Sequence, residues 1–241
     1  MSVVGYYPVM LNLQGRHVLF IGGGWETEIK IRGLLEAGAK ITLLSTGSHP
    51  ELEPLEHSGR IVWHRREYTS SDLDGIWLVM SHPVDKLENH TVFADAEARG
   101  SLCNSVDDPE RCSFILPSVL RRGDLVIGVS TSGTAPALGV RIKQRLAQEF
   151  GPEYTDFLAL LRELRPGITH GFGSFETRKK LWYALIDSGA LEQFQNGDAG
   201  LARDTLETMI ESRRTACRLE RCGDCKNHCA AHFNLEPGVS A

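Results

Sequence analysis

The last 25 residues hold Cys217, Cys222, Cys225 and Cys229, with His228 and His232 among them. Thiols and imidazoles at x4, x2 and x3 spacing suit a metal better than a disulfide framework in a reducing compartment. Any four of the six would complete a tetrahedral zinc site. The four thiolates would equally hold an iron–sulfur cluster, since the first three have the plant-type ferredoxin spacing. A third use is to carry Fe²⁺, and the plain alternative is an unstructured tail with incidental cysteines. The tail is otherwise polar and too short for a core, so ligation would supply its folding energy.

Three other stretches carry groups able to act on a small molecule. Gly22-Gly23-Gly24 leads into Trp25-Glu26-Thr27. Glycines there let backbone approach a pyrophosphate, which would rest on the N–H groups of the following helix. The third glycine of the G-x-G-x-x-G pattern is replaced by Thr27. Ser45 and Thr46 stand where many dinucleotide sites place an acid for the ribose hydroxyls, and Ser81-His82 ends a later strand. These residues, Gly22 to Glu26 with Ser45, Thr46, Ser81 and His82, are the candidate cofactor contacts. His82 could line the nicotinamide end, meet a metal, or be a plain loop residue. Asp107-Asp-Pro109 follows another strand and reads either as a general base or as an Asp-rich turn. Ser130-Thr131-Ser132-Gly133-Thr134 offers hydroxyls and N–H groups at a helix start, an anion receptor or a capping turn.

The elements that must position these groups follow from periodicity. Val18–Ile21 is an unbroken apolar run, as a strand covered on both faces requires. Ile29, Ile31, Leu34 and Leu35 then give a helical face that Gly38 stops, and Lys40–Ser45 is the next strand. Further strands are expected at 60–64, 75–80 and 102–106, with a helix between Asp85 and Arg99. Residues 1–113 thus read as a Rossmann-like α/β domain with a parallel sheet. Runs at 113–120 and 125–130, joined by 121–124, suit an antiparallel hairpin. A helix follows with Thr134 or a neighbour as N-cap and Pro136 in its first turn. Residues 114–150 are therefore expected to form a dimerisation segment, because a hairpin and one helix are too small for a core of their own. From 151 to 214 the pattern is all-helical, near 153–165, 175–187, 189–195 and 198–213, with turns at Pro166-Gly, Ser188-Gly and Asn196-Gly. The cysteine tail, 215–241, completes the scheme.

The 241 residues carry a net charge of −5. That argues against general nucleic-acid binding. No apolar run reaches the roughly 18 residues of a membrane span, and the start lacks a secretory pattern, so a cytoplasmic place with no membrane partner is expected.

Five segments in order make the chain similar to the precorrin-2 dehydrogenase and sirohydrochlorin ferrochelatase family, the N-terminal module of siroheme synthases. They are Leu13-Gln-Gly-Arg-His-Val-Leu-Phe-Ile-Gly-Gly-Gly24, Lys30 with Leu34-Leu-Glu-Ala-Gly-Ala39, Cys103-Asn-Ser-Val-Asp-Asp-Pro109, Ser113-Phe-Ile-Leu-Pro-Ser118 and Val129-Ser-Thr-Ser-Gly-Thr-Ala-Pro136. The resemblance implies a homodimer that oxidises the tetrapyrrole precorrin-2 to sirohydrochlorin with NAD⁺, with Fe²⁺ as the substrate of a chelation step. It makes Asp107 the proton acceptor in both steps and NAD rather than NADP the cofactor. Two places depart from the family. Glu26-Thr27 and Ile29-Lys30 replace a usual Val-Ala and Arg-Lys, setting a carboxylate near the pyrophosphate, and Ser81-His-Pro-Val-Asp85 replaces Ala-Thr-Asp-Asp. The altered glycine loop and the added cysteines would also suit a non-enzymatic sensor responding to NAD and metal.

Overall fold

The computed structural model describes residues 5–23, 26–82 and 86–219. They form two compact units. The first comprises residues up to Leu116 together with Ser130–Ala135, and the second Pro117–Val129 together with the helices from Pro136 onward.

In the first unit five parallel strands, β1 (His17–Gly22), β2 (Lys40–Leu44), β3 (Ile61–His64), β4 (Leu78–His82) and β5 (Leu102–Ser105), lie in the order β3-β2-β1-β4-β5. Helices α1 (Thr27–Glu36), α2 (Glu53–His57) and α3 (Lys86–Arg99) connect them. The unbroken apolar run of β1 has its reason here: Val18 and Phe20 join one core with Ile31 and Leu43, while Leu19 and Ile21 join another with Val79 and Val92. Burying each of these side chains contributes about 1.5–3 kcal/mol. Strand order reverses between β1 and β4, and their carboxyl ends therefore open the crevice where such sheets take ligands.

The strand expected at 75–80 begins instead at Leu78. Gly75 adopts φ 75° in a turn, and Ile76 N–H bonds back to Leu73 O at 3.1 Å, so pairing with β1 starts only afterwards. At the other flank β5 is an edge strand, but its outward groups are taken. Ser113 Oγ accepts Cys103 N–H at 2.7 Å, Ser113 N–H reaches Cys103 O at 2.8 Å, and Cys112 Sγ accepts Ser105 N–H at 3.3 Å. That service explains why 113–117 is not strand, contrary to the expected run at 113–120.

In the second unit β6 (Ser118–Arg122) and β7 (Leu125–Val129) form the hairpin, joined by Gly123-Asp124 alone. The turn is shorter than the expected 121–124 because Gly123, at φ 56°, supplies the conformation a two-residue hairpin needs in its first turn position. Helices α4 (Pro136–Glu149), α5 (Glu153–Gly171), α6 (Phe175–Ile186), α7 (Ala190–Gln195) and α8 (Ala199–Leu219) follow. Phe157, Leu161, Ile168, Leu181, Leu185, Leu206 and Ile210 form the core of α5, α6 and α8. α8 runs through Cys217, whereas Cys222, Cys225 and Cys229 lie outside the described residues.

The turn expected at Pro166-Gly does not occur, and α5 continues to Gly171 with Pro166 inside it. Burial of Ile168 and Phe172 outweighs the missing N–H of the proline. Gly167 and Gly171 leave room beside the helix for the Arg214 guanidinium of α8, which donates to Gly167 O at 3.1 Å. Interior proline costs about 3 kcal/mol, of which up to about 1 kcal/mol is offset by its restriction of the unfolded chain. Pro166→Ala is thus expected to stabilise the protein by roughly 2 kcal/mol, read as a higher urea midpoint; an unchanged or lower midpoint counts against this account.

Candidate functional site

The crevice between β1 and β4 is built from backbone. Gly22 sits at φ 73°, opposite His82 in the ladder, and Gly23 N–H donates to His82 O at 3.0 Å. Helix α1 starts just beyond, without a side-chain cap on its first N–H groups. The carboxylate expected to disturb an anion here is engaged: Glu26 Oε2 lies 2.6 Å from Lys30 Nζ, one turn on. Thr27, at the third glycine position, is fully buried. Gly24 and Trp25 fall outside the described residues.

A residue that sequence reasoning missed lies under this turn. A Cβ on Gly23 would come within 2.6 Å of the His49 ring. That ring is held: His49 Nε2 is 3.1 Å from Ser45 Oγ, Nδ1 is 3.6 Å from Glu51, and the ring leans on Trp63 at 5.7 Å between centroids. No signal in the sequence marks His49, since its role comes from the chain folding back after β2. Gly23→Ala must displace a buried ring rather than a flexible tip. The variant is expected to lose about 1–3 kcal/mol of stability, and an unchanged denaturation midpoint would show that His49 moves freely.

The other candidate contacts divide. Ser45 is buried, its hydroxyl shared between His49 and Gly47 N–H, so it is turned inward, while Thr46 is exposed. Ser81 is also buried and donates to Asn89 Oδ1 of α3 at 2.8 Å, away from the crevice. His82 is half-buried, and its Nδ1 is shielded from solvent with no partner among the described residues. An orphaned donor-acceptor beside a glycine turn and an uncapped helix start fits a dinucleotide. The nearby arginines are engaged, Arg65 with Glu56 and Arg66 with Asp72, each through two bonds. Arg66 is the main reason the Asp72 carboxyl is held down at about 2, helped by Thr69 N–H.

Asp107 lies just past the carboxyl end of β5. Asp108 N–H closes a turn onto Ser105 O at 3.2 Å, and within it Asp107 takes φ 58°. That is a left-handed conformation uncommon outside glycine, asparagine and aspartate, and one that concentrates at functional sites. Its carboxylate is exposed and makes no hydrogen bond or ion pair among the described residues. Asp108, by contrast, is tied to Arg111 at 2.8 Å.

The Ser130–Thr134 loop groups with the sheet unit. Thr134 N–H bonds Thr131 O at 3.0 Å across Ser132 and Gly133, which have φ 52° and 82°. The hydroxyl bonded at the start of α4 is that of Thr131, which accepts Ala135 N–H at 3.1 Å. Ser130 Oγ likewise accepts Ser132 N–H. A cleft of about 580 Å³ lined by Arg16, His17, Asp74, Trp77 and Arg99 sits at the amino ends of the strands, the end opposite Gly22 and Asp107. Among the described residues no cluster of His, Cys, Asp and Glu is arranged to hold a metal, and no helix is long and apolar enough to cross a membrane.

Known proteins share this arrangement. Residues 9–118 match a family of NAD(P)-binding domains, and residues 153–210 match the sirohaem synthase dimerisation region. Siroheme synthase 1 of Aeromonas salmonicida is 34% identical over 206 residues, which cover 85% of this chain and 44% of that protein. The siroheme synthase of Photorhabdus laumondii is 31% identical over 206 residues, covering 86% and 44%. The chain thus spans less than half the length of these curated relatives. A solved precorrin-2 dehydrogenase superposes with a TM-score of 0.68 at 26% identity, covering 86% of this chain and 100% of its own.

Proposed function

From the chain's membership of the family of precorrin-2 dehydrogenases and siroheme synthase N-terminal modules, we propose that it oxidises precorrin-2 to sirohydrochlorin. The observation that carries this is Asp107, a carboxylate unpaired among the described residues and in a left-handed conformation at the ligand edge of a dinucleotide-type sheet. NAD⁺, when bound, accepts the hydride. Gly22 and Gly23 would let the backbone close on the pyrophosphate, with the start of α1 and the Glu26–Lys30 pair nearby. Asp107 takes the proton that leaves the tetrapyrrole with the hydride, so one hydride and one proton account for the oxidation. The same carboxylate would receive pyrrole N–H protons in an Fe²⁺ insertion, with Fe²⁺ as substrate. The Ser130–Thr134 loop would meet substrate carboxylates.

An anaerobic assay of the purified chain with precorrin-2 and NAD⁺, with and without Fe²⁺, tests both steps. NADH formation is expected without Fe²⁺. No NADH with authentic precorrin-2 would exclude the dehydrogenase, and sirohydrochlorin that never takes up Fe²⁺ would exclude only the chelatase.

The proposal includes a homodimer in the cytoplasm, built as domain 1–113, dimerisation segment 114–150, helical domain 151–214 and tail 215–241, with the matched dimerisation region at 153–210 bringing the helical domain into the pairing as well. Exposed Val119, Leu138 and Val140 on the hairpin and α4 support pairing in that segment, and a reducing setting suits the free thiols of Cys103 and Cys112. Cys217, Cys222, Cys225 and Cys229 are proposed to bind zinc or an iron–sulfur cluster on the strength of their spacing alone. Deleting 216–241 keeps Ile210 in its core and Arg214 on Gly167. Truncation is expected to preserve precorrin-2 oxidation yet remove a stoichiometric metal from anaerobically purified protein. A visible absorption band would identify a cluster, and colourless zinc-containing protein the alternative. Metal-free full-length protein with all tail thiols open to alkylation would end this proposal.

A further inference from the structure

The turn bearing Asp107 is closed by side chains on the free edge of β5. Cys112 touches both ends of that turn: its Sγ accepts Ser105 N–H at 3.3 Å and lies 3.2 Å from Ser105 O and 3.4 Å from Asp108 O, either of which its S–H can reach. Asn104 Nδ2 approaches the same sulfur at 3.6 Å. Burial pushes the Cys112 thiol up, with Ser105 N–H pulling the other way and Asp108 adding to the rise, so the group keeps its proton and can donate as well as accept. Ser113 fastens the next step of the edge, accepting Cys103 N–H at 2.7 Å and returning a bond to Cys103 O. Among the described residues the Asp107 carboxylate has no hydrogen bond or ion pair, so where it is presented depends on the backbone that these two side chains hold.

We propose that Cys112, seconded by Ser113, is a positioning residue for Asp107, bridging Ser105 and Asp108 so that the carboxylate between them stays aimed at the substrate. The proposal rests on Asp107 being the proton acceptor. The sulfur has no part in the chemistry. A carboxylate carried on a shifted turn loses the near-attack geometry on which proton transfer depends, and a displacement of about 1 Å costs up to about 10²-fold in rate.

Cys112→Ala and Cys112→Ser test this, because both remove the sulfur and they differ only in a hydroxyl able to take Ser105 N–H. The backbone at 112 is extended, φ −126° and ψ 119°, and accepts either residue. In the alanine variant kcat for precorrin-2 oxidation is expected to fall at least about tenfold, with KM for precorrin-2 and NAD⁺ within about twofold of wild type. The serine variant should recover to within about threefold of the wild-type kcat. Wild-type kcat in Cys112→Ala overturns the proposal, as do equal losses in alanine and serine, which would mean packing alone. If alanine at 112 does not fold, Ser113→Ala carries the test, and wild-type kcat there overturns it. Failure of the functional reading shows separately, as no turnover in the wild-type chain, and takes this inference with it.

Discussion

Asparagine at position 107 is expected to lower kcat for precorrin-2 oxidation by about 10²–10⁴-fold, the usual contribution of a positioned general base. The substitution keeps the size of the side chain and tolerates the left-handed φ of 58°. It removes only the ability to take a proton. Because the carboxylate is exposed and unpaired among the described residues, stability should stay within about 0.5 kcal/mol of wild type. Alanine is the poorer probe, since a left-handed residue without a polar side chain costs about 1–2 kcal/mol and mixes strain with chemistry. NADH absorbance in single turnovers, beside a thermal melt, reads both quantities. A folded Asp107→Asn protein with near-normal kcat would remove Asp107 from the reaction.

The second large effect is on cofactor affinity. Gly22→Asp is expected to weaken NAD⁺ binding at least about 100-fold, since a Cβ and a negative charge enter where backbone must meet the pyrophosphate. Aspartate accepts the φ of 73° at this glycine better than most residues, so the protein should remain folded. Gly22→Asn supplies the same shape without the charge and should lose less. Calorimetry on the folded variants decides the matter: unchanged NAD⁺ affinity in Gly22→Asp would show that the cofactor does not use this turn.

The sheet and the crevice at its carboxyl edge are legible in the sequence, where one residue type answers one local demand. Val18–Ile21 announced a doubly covered strand, and the glycines after it the crevice. Reading failed where the placement of a partner in space decides the outcome. Pro166-Gly looks like a turn until Ile168 and Phe172 are seen buried beyond it and Arg214 lying on Gly167. Ser113 and Phe114 look like strand until their bonds to β5 are counted. Ser45 and Ser81 suited a cofactor by position, yet His49 and Asn89 claim their hydroxyls. Only Arg214 is remote along the chain; the other partners lie within about ten residues, and periodicity fails there because it carries no information on which way a loop folds back or which hydroxyl a neighbour claims.

The capped edge of β5 also bears on how the chain behaves in a crowd. An open strand edge is a template on which another polypeptide can add, the common first step of aggregation. On β5 the outward N–H and C=O groups of Cys103 and Ser105 already have partners in Asp108, Cys112 and Ser113. A nascent or partly unfolded neighbour finds no row of free donors there. The opposite flank, β3, is only four residues long. Growth of the sheet from one molecule to the next is thus blocked on one side and short on the other, which favours recovery of native protein when many copies fold at once.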